Sequence, residues 1–176
     1  MTFDTRARRA TAAALLVLAP AAAVAAPAAA ETVSESDRFF LDEAASACRN
    51  GDFPAFLWPY ANSQLVRARY RGAAEGTADD FPIMMIDYSY VTSASARRFE
   101  APGGDPRQLV HVQIDFSTPS AGVERVDWVP GRFEPGEGDG PGTLIEKTGP
   151  GGSLYFTKTA DCWRLTRDVG NPPSAR

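Results

Sequence analysis

Residues 109–133 read LVHVQIDFSTPSAGVERVDWVPGRF, and the fold turns on them. Val110, Val112, Ile114 and Phe116 share one face of an extended chain, while Leu109, His111, Gln113 and Asp115 share the other. A period of two with one apolar face predicts a half-buried strand. The turn Thr118 to Gly122 leads into a second alternating run, Val123–Phe133, so the stretch predicts an antiparallel hairpin. A symmetric turn pairs residues whose numbers sum to 240: Asp115 faces Arg125, Gln113 faces Asp127 and Val112 faces Trp128.

The same period runs outward from this hairpin. From Phe81 onward, Ile86, Tyr88 and Tyr90 alternate with Asp87, Ser89 and Val91. Strands are expected near Ala96–Ala101 and at Arg107–Ser117, on either side of the turn cluster Pro102 to Pro106. Beyond the Gly/Pro/acid loop Glu134–Gly142, Thr143–Thr148 and Ser153–Lys158 read as a hairpin around Gly149–Gly152, and Cys162–Asp168 closes the sheet.

Upstream the period lengthens. Ser34 and Asp37 have the spacing of a capping box, and Phe40, Leu41, Ala44, Ala45 and Cys48 recur at helical spacing up to the stop Asn50-Gly51. Asp52 can cap a second helix with Pro54 in its first turn, and Pro59 predicts either a kink or a restart running to about Leu65. Residues 66–71 fit a strand as well as a frayed helix, with Arg67, Arg69 and Arg71 as one stripe. The class is therefore α+β: two or three N-terminal helices packed on a curved antiparallel β-meander of five to six strands.

The first thirty residues read differently. Arg6, Arg8 and Arg9 precede an apolar run from Thr11 to Ala26, and Ala28-Ala29-Ala30 offers the small residues that signal peptidase needs. We expect cleavage between Ala30 and Glu31, a single domain over 31–170 and a loose tail at 171–176, with the mature protein periplasmic or secreted. The leader holds those three arginines and Asp4, so its removal leaves 15 basic against 21 acidic residues, a net charge of −6. That charge disfavours nucleic acid and anionic lipid as partners, and no later segment is apolar enough to span a membrane. In an oxidising compartment Cys48 and Cys162, the only two cysteines, are expected to form one disulfide.

Several chemistries are excluded at this level. The single histidine, His111, rules out multi-histidine zinc sites, and there is no phosphate loop, dinucleotide fingerprint or paired-cysteine knuckle, so no cofactor is expected. Glu134, Glu137 and Asp139 lack the spacing of a calcium loop. Two candidate sites stay open. On one face of the 109–116 strand, His111, Gln113 and Asp127 form a polar cluster that either does acid–base work or serves as ordinary cross-strand pairing worth under about 1 kcal/mol per pair. On the other face Tyr88, Val112, Ile114 and Trp128 are core, or line an apolar pocket beneath the helices.

Two stretches carry a family resemblance. Asp52 to Phe56, continuing through Tyr60 to Gln64 and Arg67, resembles the helical start of small exported bacterial proteins. Tyr155-Phe156 followed by Asp161 to Thr166 resembles their closing hairpin. Some of these proteins are similar to the nuclear transport factor two-like superfamily, with its cystatin-like α+β cone. The resemblance covers about residues 36–168. It implies helices closing a cone over a curved sheet, in a superfamily where some members are isomerases or dehydratases using Asp, His or Tyr and many others only bind or dimerise. This chain departs from the enzymes in that His111 is expected to point away from the helix-covered face.

Together these readings predict an exported, non-enzymatic domain that binds a small apolar ligand or an envelope protein, with a homodimer possible. The alternatives are a cone-type lyase or isomerase using His111 or an Asp/Tyr pair, and an inhibitor or immunity-type protein using the 134–142 loop.

Overall fold

The computed structural model describes residues 33–72, 81–134 and 142–170. The expected leader with its Ala30–Glu31 junction, the middle of the 134–142 loop and the expected tail from 171 lie outside them. The architecture is α+β.

Helix α1 (Glu35–Asn50) begins where the capping box predicts. The Ser34 hydroxyl accepts the Asp37 N–H at 3.0 Å and donates to the Asp37 carboxylate at 2.6 Å. It ends at Gly51, whose φ of +68° lets its N–H turn back to the carbonyls of Ala47 and Cys48, a conformation that favours glycine. Asp52 then caps α2 (Phe53–Asn62), accepting the Ala55 N–H at 3.0 Å. Pro59 neither starts a new helix nor ends this one; it lies inside α2, and the break falls four residues later. There Ser63 caps the short α3 (Gln64–Arg69), so residues 66–69 are helical and the arginine stripe is not a strand. Arg67 instead donates to the carbonyls of Tyr60 and Ala61 at 2.9 and 2.7 Å, placing a cation on the last turn of α2 where the helix dipole favours it.

The run from Phe81 is two strands rather than one. β1 (Ile83–Ile86) and β2 (Ser89–Thr92) pair antiparallel through Asp87 and Tyr88, which both have positive φ (45° and 62°). That is the twist a two-residue hairpin turn demands. It takes Tyr88 off the inner face, where alternation had put it, and leaves it 85% exposed. The strand expected near Ala96–Ala101 is likewise a helix, α4 (Ser93–Glu100), because Thr92 caps it by accepting the Ser95 N–H. Ser95 in turn donates to the Thr92 carbonyl and accepts the Val110 N–H, tying α4 to the chain that enters the main sheet. Residues Pro106–Gln108 form a 3-10 turn, and Val112 is the first residue of the next strand.

Five strands form the main sheet: β3 (Val112–Ser120), β4 (Val123–Glu134), β5 (Thr143–Lys147), β6 (Gly152–Lys158) and β7 (Trp163–Val169). β3 and β4 do pair as a hairpin, but partners sum to 242, so Asp115 faces Asp127, Gln113 faces Val129 and Val112 faces Pro130. β3 runs on through Thr118 to Ser120 and absorbs an irregularity between Ser117 and Ser120, leaving only Ala121 and Gly122 in the turn. A shift of two preserves each residue's face while changing every partner. The 143–158 segment also departs from the expected hairpin. β5 and β6 are not paired to one another; both run antiparallel to the long β4, β5 along Gly131–Glu134 and β6 along Val123–Trp128. The order β3-β4-β6-β7 completes the path, and the Thr92 N–H to the Val110 carbonyl (2.9 Å) hooks the β1–β2 hairpin to the start of β3.

The inner face of this sheet packs on the helices. Val126, Leu154, Phe156 and Trp163 meet Phe53, Phe56 and Leu57, with the Phe56 ring 5.4 Å from those of Tyr60, Tyr70 and Trp163. The Asn62 side chain exchanges two hydrogen bonds with the Met85 backbone, fastening the end of α2 to β1. Cys48 and Cys162 are bridged, with Cα atoms 5.0 Å apart, which joins the end of α1 to the start of β7.

Burial in this core pushes the Tyr60 hydroxyl up to about 12 despite the lowering pull of Arg67, Arg71 and Arg164, and burial pushes Tyr90 up as well. Both are neutral in the folded and unfolded chain below pH 10, so their contribution to stability is complete there. Between pH 10 and about 12 the unfolded chain sheds its tyrosine protons first. Stability is therefore expected to fall by up to about 1.4 kcal/mol per pH unit for each buried tyrosine. Urea midpoints measured across that range should show the decline, and Tyr60→Phe should make it shallower.

Candidate functional site

The outer face of the sheet is assembled by register. One row across the strands runs Asp115, Asp127, Ser153, and the next runs Ser117, Arg125, Tyr155, Arg167. Alternation puts the β3, β4 and β6 side chains away from the helices, and on β7 the register irregularity opposite Tyr155 and Phe156 turns Arg167 to the same side, where unbroken alternation from Trp163 and Leu165 would have put it inside. Arg125 donates to the Asp127 carboxylate from two nitrogens, at 2.9 and 2.6 Å, and the Ser153 hydroxyl donates to the same oxygen. Tyr155 is flanked by two cations: the Arg167 guanidinium lies 3.7 Å from its ring centre and that of Arg125 5.7 Å. The Arg125–Asp127 pair is about one-third exposed, so solvent screens it and it adds little to stability. Its consequence is orientation, because it holds a polar surface in a set arrangement.

Where β6 takes over from β5 along β4, this face opens into a cleft of about 590 Å³. Asp115, Asp127 and Ser153 wall one side; Lys147 and the Gly149–Gly152 segment wall the other. Gly151 is there for a steric reason: a Cβ on it would sit 2.1 Å from the Trp128 carbonyl oxygen, so any other residue would force β6 away from β4. The two facing carboxylates differ. Asp127 is engaged by Arg125 and Ser153, whereas among the described residues Asp115 receives a 3.5 Å contact from Gln113 and keeps acceptor capacity for an incoming cation or donor.

A search of protein-family models finds no match for this chain, and neither does a search of the curated proteins. One solved structure is similar. It is an NTF-2-like protein of unknown function from Shewanella oneidensis MR-1, 14% identical, with the likeness covering 77% of this chain and 96% of that one at a TM-score of 0.25.

The residues singled out from the sequence fall in three places. Val112 and Trp128 are buried in the core and Ile114 is half-buried against it, while Tyr88 stands apart on its exposed turn. His111, Gln113 and Asp127 do not come together. His111 aligns with Gly131 in the β3–β4 register, four residues and about 13 Å along the strand from the Asp115–Asp127 pair. Its ring lies edge-on to Phe133, and its Nδ1 is buried without a hydrogen-bond partner among the described residues. Gln113 reaches Asp115 instead, and Asp127 belongs to Arg125 and Ser153. Ser153, Tyr155, Arg167 and Lys147 are the members that sequence reasoning missed. The alternation of Ser153 and Tyr155 on β6 was visible, but Lys147 on β5 and Arg167 beyond the β7 irregularity did not follow from it, and their meeting with Asp127 depends on the order in which strands pair. Among the described residues no group of three or more His, Cys, Asp or Glu side chains is placed to hold a metal ion, and no helix is long and apolar enough to cross a membrane.

Proposed function

We propose that this chain is an exported, non-enzymatic binding domain that takes a partner protein of the cell envelope on the outer face of its sheet. The carrying observation is the division of labour between the two faces. The inner-face residues Val112 and Trp128 are committed to the core, so a small apolar ligand there would have to displace packed side chains. The outer face instead presents the Arg125–Asp127–Ser153 and Arg125–Tyr155–Arg167 groups beside an open cleft. Polar groups already held in one arrangement lose little freedom on binding, which favours recognition. The leader and the Cys48–Cys162 bridge support export, since isolated disulfides persist where the compartment is oxidising.

Site-specific photocrosslinking in the producing cell tests this reading. A photoreactive side chain at Lys147 or Arg167, on the cleft and the outer face, is expected to yield a discrete adduct. The same group at Glu43 on α1 or Arg98 on α4 is expected to yield none. Adducts from all four positions, or from the helical pair alone, would overturn the assignment of the face.

A further inference from the structure

We infer that the open edge of β3 is a docking site for an extended segment of a partner protein, one that alternates apolar and basic side chains and adds to the sheet as a further strand. This deepens the binding reading above and rests on it.

The first ground is the backbone. The Gly131 N–H donates to the His111 carbonyl at 3.0 Å, so the backbone groups of His111 face β4, and on the other side the Thr92 N–H reaches the Val110 carbonyl. Strand backbones alternate, so Gln113, Asp115 and Ser117 also turn their N–H and C=O groups toward β4, while Ile114 and Phe116 turn theirs away. β2 meets this edge in the bridge from Val91 to His111, just before β3 begins. Beyond it, no strand among the described residues pairs with the outer groups of Ile114 and Phe116. The opposite edge of the sheet is treated differently. Arg164 on β7 donates to the carbonyls of Arg69 and Arg71 at 3.0 and 3.3 Å and holds the chain after α3 against that strand. An uncovered edge of this kind is a template for strand addition.

Side chains specify what kind of strand. On the inner side Phe116 is 43% exposed and stands edge-on to Phe53 at 6.0 Å. A groove of about 450 Å³ runs between Phe116 and the Phe53-Pro54 start of α2. A strand laid along β3 sends every second side chain over that groove, which asks for apolar residues. The alternate side chains lie beside Asp115, whose cross-strand partner is another carboxylate, Asp127. A lysine or arginine there meets the Asp115 carboxylate, which, unlike that of Asp127, has no ion-pair partner among the described residues. The same geometry counts against a second copy of this chain. Antiparallel pairing about Phe116 would set Asp115 diagonal to its own counterpart and add like charges to the row. The irregularity at Ser117–Ser120 and the missing N–H of Pro119 end the usable edge near Thr118, so the register has little freedom to slip.

The test uses the disulfide-bonded protein from Glu31 onward, labelled for amide NMR, and a capped peptide as long as β3 that alternates valine with lysine. The peptide is expected to slow hydrogen exchange at the Ile114 and Phe116 amides and to shift their resonances, with no change at Gly149–Gly152. A valine–glutamate peptide should bind more weakly. Asp115→Lys, an exposed change, should lower affinity for the lysine peptide roughly fivefold and raise it for the glutamate peptide. Unchanged exchange at both amides with peptide in excess would overturn the inference. So would protection that appears without peptide, rises with protein concentration and accompanies a sedimenting dimer, because the occupant would then be a second copy. Either failure leaves the photocrosslinks at Lys147 and Arg167 untouched, so the loss of this inference and the loss of the outer-face reading are distinguishable.

Discussion

Phe56→Ala is expected to destabilise the domain by about 3–5 kcal/mol, the range for removing a fully buried phenylalanine from a packed core. Phe56 has no exposed surface, and its ring is 5.4 Å from Tyr60, Tyr70 and Trp163 and 6.4 Å from Phe53 and Phe156. It therefore joins α2, the end of α3 and strands β6 and β7 at one point. Truncation leaves a cavity walled by rings that belong to different elements and cannot all collapse inward together. In a domain of this size the melting temperature should fall by roughly 10 °C or more. Phe39→Ala supplies the control: that ring is 50% exposed, with Phe40 and Trp58 as its aromatic neighbours among the described residues, so its loss should cost about 1 kcal/mol or less. Urea unfolding of both variants measures the difference, and equal losses would mean that the core is not organised around Phe56.

Removing the disulfide is expected to have an effect of similar size by a different route. The bridge closes a loop of 114 residues, and the chain-entropy relation assigns such a loop about 4–5 kcal/mol, exerted on the unfolded chain. The double variant Cys48→Ala, Cys162→Ala should therefore unfold at much lower urea. It should also show a steeper denaturant dependence, because its unfolded state is more expanded. Wild type measured in reductant should coincide with it. A double variant as stable as the oxidised wild type would mean that the bridge contributes nothing through the unfolded chain.

The two sites differ in how far their residues could be foreseen. The face of each β3 and β4 residue followed from alternation, and Val112, Ile114 and Trp128 do lie on the helix-facing side. Their partners did not follow, because a symmetric turn at 118–122 and a two-residue turn after an irregular β3 are both compatible with the same residues. The difference moved Asp127 from Gln113 to Asp115, and with it the composition of the outer-face cleft. Tyr88 was misplaced for a related reason: nothing in Ile86–Tyr90 shows that Asp87 and Tyr88 both adopt positive φ and break one strand into two.

What the sequence determined alone was whatever depends on neighbours a few residues apart. The caps at Ser34 and Asp52, the stop at Gly51, and the change from helical to alternating period all involve hydrogen bonds and faces within one turn or one strand. These sufficed for the α+β class. Tertiary structure decided everything that depends on which strand lies beside which. Both β5 and β6 satisfy their backbone along β4, so the expected hairpin between them gives way to a glycine-lined cleft. The chain at the end of α3 is held against the β7 edge, while no strand among the described residues pairs with the outer edge of β3 beyond His111. Those outcomes are set by backbone hydrogen bonds and packing between residues distant along the chain, and a local pattern of polar and apolar side chains is the same whichever partner is chosen.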